Sequence, residues 1–226
     1  MDINLHYMET GAGEALILLH GNGEEGGYFA HQLAYFSKKY RVIALDTRGH
    51  GKSPRGSAEF SIRQFAEDLH AFMDVMGIES AHILGFSDGG NIALCFALKY
   101  PERVKKLILN GANLHPRGVK PAVQLPVEIG WRWARLFAKE SSSAARKAEL
   151  LGLMVLEPRI APEALAALSM PVLVIAGDRD MIRDSHTRLI ARSIPGAQLC
   201  ILKGDHFIAS KQHAEFNRAV ERFLEG

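Results

Sequence analysis

Residues 81–100 read AHILGFSDGGNIALCFALKY, and this stretch decides the fold. Ala81–Phe86 is apolar nearly throughout, as suits a strand buried on both faces of a sheet. Gly89–Lys99 reads as the helix that follows. Ser87 sits on the joint, within Gly85-Phe86-Ser87-Asp88-Gly89, a G-x-S-x-G pattern. Composition alone supplies about 0.1 such matches in a chain of this length, so position gives the pattern its meaning. A strand–turn–helix holds the serine in a strained backbone, and the flanking glycines leave room for it. The helix start also aims unpaired N–H groups toward a developing oxyanion. A serine N-cap between glycine turns is the plainer reading of the same residues.

The same rhythm extends outward. Short apolar runs at Ala15–His20, Arg41–Asp46, Lys106–Gly111, Pro171–Gly177 and Gln198–Leu202 alternate with amphipathic stretches at Gly27–Lys38, Ser61–Met76, Asp184–Ser193 and Lys211–Leu224. In Ser61–Met76, residues Ile62, Phe65, Leu69, Phe72 and Met76 recur at spacings of three and four, which marks a sheet-facing side. An initial strand, Ile3–Met8, alternates polar and apolar residues and is expected antiparallel at an edge. Alternation of this kind predicts an α/β fold: a doubly wound, mostly parallel sheet of about seven strands. The rhythm breaks between Asn113 and Ser169, which carries helical segments at Val127–Lys139 and Ala144–Leu156 and no strand signal. Ile129, Trp133, Leu136 and Phe137 form one apolar face there. The expected organisation is a core of residues 1–112 and 170–226 with a small helical cap, 113–169, above the strands' C-terminal ends.

Composition narrows the function. The 226 residues suffice for one substantial core, and a net charge of +2 implies no pull toward nucleic acid. The basic cluster Arg132, Arg135, Lys139, Arg146 and Lys147 reads as a solvated helical face. Cys95 and Cys200 lie in apolar runs and read as buried free thiols. The N-terminus lacks the pattern of a signal peptide, and no apolar run approaches the ~20 residues of a membrane span. The expectation is a cytoplasmic protein, monomer or homodimer, that engages neither membrane nor nucleic acid.

A serine hydroxyl needs a histidine to take its proton, and that histidine needs an acceptor to fix its tautomer. His206, in Lys203-Gly204-Asp205-His206-Phe207 after the last apolar run, is the histidine placed for this. His186 and His213 lie within helices and read as surface residues. The acceptor is expected after Pro171–Ala176, where Asp178, Asp180 and Asp184 compete and spacing does not separate them. No H-E-x-x-H or paired Cys/His cluster suggests a metal.

With these residues in view, the chain resembles the α/β-hydrolase superfamily over nearly its whole length. His20-Gly21-Asn22-Gly23 is similar to the oxyanion-loop motif that begins H-G. Asp46-Thr47-Arg48-Gly49-His50-Gly51-Lys52-Ser53 matches D-x-R-G-x-G-x-S, and Gly204-Asp205-His206-Phe207 resembles the G-x-H-F ending. Gly177-Asp178-Arg179-Asp180 resembles G-[DE]-x-D, whose last residue is the triad acid. The resemblance therefore implies Asp180 as that acid, Asp178 as a loop brace, and the backbone N–H groups of Asn22 and Asp88 as oxyanion donors. It departs from the family in the little chain that precedes His20 and in the short cap. The Ser87-Asp88 pair is similar to that of members acting on amino-acid esters, where the acid could face an amine; hydrogen bonding behind the elbow is the plainer role for the Asp88 side chain.

The implied function is a cofactor-free serine hydrolase acting on a small ester-type substrate through an acyl-enzyme, with Trp131, Met154 and Phe207 as candidate pocket residues. One rival is a dinucleotide-binding oxidoreductase. Gly21-Asn22-Gly23-Glu24-Glu25-Gly26 fits G-x-G-x-x-G, and Asp46 ends the next strand as a ribose-binding acid should. Against it, Glu24 and Glu25 would set two negative charges where a pyrophosphate docks. A non-catalytic receptor on the same scaffold is a second rival, and it leaves the serine, acid and histidine without purpose.

Overall fold

The computed structural model describes residues 2–226. Seven strands are formed: β1 Tyr7–Thr10, β2 Ala15–Leu19, β3 Arg41–Leu45, β4 Ala81–Phe86, β5 Val104–Asn110, β6 Val172–Gly177 and β7 Gln198–Leu202. The α-helices are α1 Ala30–Phe36, α2 Ile62–Val75, α3 Asp88–Lys99, α4 Pro121–Leu136, α5 Ser142–Leu156, α6 Asp184–Ser193, α7 Ile208–Lys211 and α8 His213–Glu225. The sheet runs β1-β3-β2-β4-β5-β6-β7, with β1 antiparallel to β3 and every other pair parallel.

Both faces of the central strands are covered, which is why their sequences are apolar without alternation. Ile17, Leu19, Ile43, Ile83, Leu107 and Val172 point to the side of α2, α3 and α6. Their neighbours Leu16, Leu18, Val42, Leu84, Ile108 and Leu173 point to the side of α1 and α8. α2 has a well-defined start and stop. The Ser61 hydroxyl accepts from the Gln64 amide (3.2 Å), and Gly77, at φ +64°, closes the helix with Ile78 N–H donating to Met73 O (2.8 Å).

Several expectations shift. The antiparallel edge strand is present, but at Tyr7–Thr10 instead of Ile3–Met8; Ile3 and Leu5 are buried in the core without pairing. β7 is an edge strand, so its Leu199 and Ile201 are partly exposed instead of covered on both faces. Gly27–Lys38 opens with a 3₁₀ turn, Gly26–Phe29, before α1, and Lys211–Leu224 is divided at Gln212 into α7 and α8. Cys95 and Cys200 are free and half-buried.

Between β5 and β6 the chain leaves the sheet for a hairpin of α4 and α5. The side of α4 carrying Ile129, Trp133, Leu136 and Phe137 does not pack on the core as an apolar face usually does; all four side chains are exposed. The hairpin is fastened to loops at the strands' C-terminal ends. Arg55 chelates Glu149 (2.7–3.1 Å), Arg146 donates to Gly49 O, and the Glu157 carboxylate accepts from the Ile62 amide (2.7 Å). No described helix is long and apolar enough to cross a membrane.

Candidate active site

Ser87 connects β4 to α3 with φ 53° and ψ −119°, the only positive φ among the described non-glycine residues. Hydrogen bonds hold this strained conformation on both sides: Ser87 N–H donates to Asn110 O of β5 (2.8 Å), and Ser87 O accepts from the Gly90 and Asn91 amides. The flanking glycines are required by close approach. A Cβ on Gly85 would lie 2.3 Å from Gly89 O, and one on Gly89 would lie 2.0 Å from Leu19 O. The motif is therefore a backbone crossing that leaves no room for a side chain two residues before or two residues after the serine.

His206 lies on the loop after β7 and is buried. Its Nδ1–H donates to Asp180 Oδ1 (2.7 Å), which also accepts from the Ile182 amide (2.8 Å). That bond fixes the tautomer and leaves Nε2 as a bare acceptor, buried and without a partner among the described residues. The histidine ring packs on Phe86, the residue before Ser87, with centroids 4.8 Å apart. A Cβ on Gly111, one residue past Asn110, would meet His206 Cε1 at 2.6 Å. Serine and histidine thus converge where β4 and β5 end side by side.

The three candidate acids are separated by geometry. Asp180 alone reaches His206. Asp178 Oδ1 accepts from the Gly204 amide (2.9 Å) and braces the His206 loop, and exposed Asp184 pairs with Arg188 one turn on (2.8 Å). His186, expected on the surface, is buried instead, and its Nε2 accepts from the Leu114 amide (3.0 Å). Burial pushes it down to about 4, helped by the neighbouring His115 and Arg183. It lies on the covered face of α6 with Thr187 and Ile190, a spacing the sequence did contain.

The Asn22 amide is aimed by its own peptide. Buried His20 donates from Nδ1 to Gly21 O (2.7 Å) while its Nε2 accepts from the Thr47 amide (3.0 Å), and Glu24 N–H also donates to Gly21 O (3.2 Å). A trans peptide held by its carbonyl points its N–H the opposite way. Neither the Asn22 nor the Asp88 N–H donates to a protein group among the described residues. The Asn22 side chain donates to Leu150 O (2.7 Å), which ties this loop to α5. These roles of His20, Glu24 and Leu150 are not visible in the sequence motif, which names only the H-G pair.

Carboxylates surround the site. Burial pushes the Asp88 carboxyl up to about 6, against the neighbouring Asn22 and Asn91 amides. Asp88 Oδ1 accepts from Asn91 Nδ2 (3.1 Å), and Oδ2 has no partner among the described residues. Burial also raises Glu24, opposed by the Gly21 amide and then by His206. Tyr28 also stacks on Phe86 (4.5 Å, 6°), and its phenol is raised by burial and by Glu24, Asp205 and Asp180.

Of the three expected pocket residues, Phe207 stands beside His206, 39% exposed, with ring centroids 5.6 Å apart. Trp131 and Met154 lie in the hairpin: the Trp131 ring lies under Arg135 (4.7 Å) and near Gly152, and the Met154 backbone O accepts from Gln124 Nε2 (3.2 Å). The Gly21–Gly26 loop is shaped for a different task from phosphate binding. Asp46 is consumed by the Gly26 and Lys52 amides (2.7 and 2.9 Å) and by His6 (2.8 Å), so it is no free ribose acceptor.

A parallel sheet with an elbow serine at one strand end and an Asp–His pair at the neighbouring ends defines the α/β-hydrolase class. The chain belongs to that family: a profile described as alpha/beta hydrolase fold matches residues 14–135, and its relatives include hydrolases. One is a 2-hydroxy-6-oxononadienedioate/2-hydroxy-6-oxononatrienedioate hydrolase of Burkholderia vietnamiensis, 31% identical over 264 residues, covering 99% of this chain and 91% of that protein. Serine hydrolase BPHL of Mus musculus is 28% identical, covering 99% and 84%. The crystal structure of an enol-lactonase from Burkholderia xenovorans superposes with a TM-score of 0.83 over 99% of this chain and 97% of that one; at 23% identity it speaks to the fold alone.

Proposed function

We propose that this hydrolase cleaves a small ester-type bond, a carboxylic ester or lactone, through an acyl-enzyme on Ser87, with residues 113–169 as a cap over the site. The observation that carries the reading is the buried Asp180–His206 pair, whose bare Nε2 lies at the strand ends that hold Ser87 in its strained turn. His206 takes the hydroxyl proton as Ser87 attacks and returns it to the leaving group, while Asp180 orients the ring and stabilises its cation. The Asn22 and Asp88 amides hold the oxyanion, each worth about 3 kcal/mol. Water then repeats the sequence to release the acid.

Electrostatics supports a neutral or cationic acyl group over an anionic one. Asp88 and Glu24 are acidic groups already raised by burial, and a substrate carboxylate brought among them would repel both. The names of relatives acting on a dienedioate favour a second reading, cleavage of a carbon–carbon bond by the same residues. A fluorophosphonate probe should label the wild type and not Ser87→Ala, and turnover of p-nitrophenyl esters should fall by several orders of magnitude in that variant. Near-full esterase activity in Ser87→Ala would overturn the assignment. Including aminoacyl esters, lactones and a 2-hydroxy-6-oxo-dienoate in the substrate panel decides between the two bonds.

A further inference from the structure

The outer side of α4 presents Leu125, Ile129, Trp133 and Leu136, with Phe137 in the turn that follows, each between 48% and 70% exposed. Their spacing of three and four residues puts them in one exposed stripe along the helix, and the Trp133 and Phe137 rings lie parallel with centroids 6.4 Å apart. Apolar surface of this extent on a soluble chain marks an interaction site.

The flank of the stripe is basic. Arg132, Arg135 and Lys139 run beside it, and Arg146 and Lys147 stand exposed on α5. Residues 117–149 hold seven basic and three acidic side chains, a net +4 in a chain whose total is +2. Among the described residues Arg132, Lys139 and Lys147 have no carboxylate partner, whereas Glu149 is taken by Arg55 and Glu128 by Gln124. A second copy docked stripe to stripe would set this positive pole against itself. A surface that is apolar beneath and anionic above matches both features at once, and an exposed helix face rich in Trp, Phe, Leu and Arg suits such a surface.

We infer that α4 docks this protein on anionic lipid bilayers, with the stripe in the acyl boundary and the cations among the headgroups. Docking there holds the candidate active site at the lipid surface, because α4 begins at the Asp180 loop. Lys120, its N-cap, donates its amide to Met181 O (2.8 Å) and its ammonium to Asp180 O. Binding is read without reference to hydrolysis, so its failure leaves the Ser87 reading untouched.

The test is co-sedimentation of the full chain with vesicles of phosphatidylcholine plus phosphatidylglycerol, against vesicles of phosphatidylcholine alone, at low salt and at about 0.5 M salt. We expect association with the anionic vesicles only, a several-fold loss in high salt, and a blue shift of tryptophan emission on binding. Trp133→Ser/Phe137→Ser should reduce the bound fraction at least about ten-fold, with circular dichroism unchanged. Wild-type protein that stays in the supernatant, or binds neutral vesicles equally, overturns the inference. So does a concentration-dependent dimer, seen by sedimentation velocity, that the same double variant abolishes, since the stripe would then serve a second copy. Should the double variant fail to fold, the salt series and emission shift of the wild type decide alone.

Discussion

Replacing Ser87 by glycine should abolish chemistry and raise stability together. Ser87 sits at φ 53°, ψ −119°, far from the small left-handed basin that L-residues tolerate. A side chain held there costs on the order of 1–3 kcal/mol, and removing the Cβ relieves it. The greater freedom of glycine in the unfolded chain returns about 0.5–1 kcal/mol of that gain. Ser87 makes no side-chain cap to α3, so no cap is lost with the hydroxyl. The balance is a stabilisation of roughly 0.5–2 kcal/mol, which in a domain of this size raises the melting temperature by about 1–8 °C. Ser87→Ala keeps the Cβ and therefore the strain, and should melt close to the wild type. Differential scanning calorimetry of the three proteins at pH 7.5, with fluorophosphonate labelling to show that both variants are inert, provides the comparison. A Ser87→Gly protein that melts at or below Ser87→Ala would refute the claim that this turn stores strain.

Three other outcomes follow from the geometry. Asp180→Asn keeps the volume but offers His206 Nδ1 a weaker, uncharged acceptor; kcat on a p-nitrophenyl ester should fall by about 10⁴ while circular dichroism is unchanged. Gly111→Ala places a methyl group 2.6 Å from His206 Cε1 at a φ of +63°, so it should displace the ring and cost at least about 10²-fold in kcat. Burial raises the Asp88 carboxyl from 3.8 to about 6, so between those pH values the folded state holds more proton than the unfolded one and stability falls as pH rises. That loss, about 3 kcal/mol at 1.36 kcal/mol per pKa unit and nearly complete a little above pH 6, should be absent from the chemical-denaturation pH profile of Asp88→Asn.

Much of the fold was legible because both sheet faces are covered. A strand such as Ile83–Leu84 has nowhere polar to point, so its sequence is a continuous apolar run. β7 breaks that logic: the same kind of run, Gln198–Leu202, lies at an edge with Leu199 and Ile201 partly open to solvent. The candidate serine and histidine were legible for a different reason, since each belongs to a local motif. The acid was not separable by spacing, because Asp178 and Asp180 share one loop. Which carboxylate turns inward is decided by the Gly204 amide taking Asp178 and the Ile182 amide steering Asp180 toward the ring. His186 was misplaced because membership of a helix says nothing of its face; Ile190, one turn on, carries that information.

The α4–α5 hairpin shows where reading of this kind ends. Amphipathicity in α4 states that its two sides differ, and apolar sides are normally the covered ones. Here the hairpin inverts that assignment. Its inner side carries Gln124, Ala134 and Trp131, and the hairpin is held through polar links such as Gln124 to Met154 O and, on α5, Leu150 O accepting from Asn22 of the Gly21–Gly26 loop. These links are directional and leave the hydrophobic stripe exposed, without a partner among the described residues. A helix held from within by polar links and small contacts has its main apolar stripe free for something else, and the cations beside Trp133 say what charge that partner should carry.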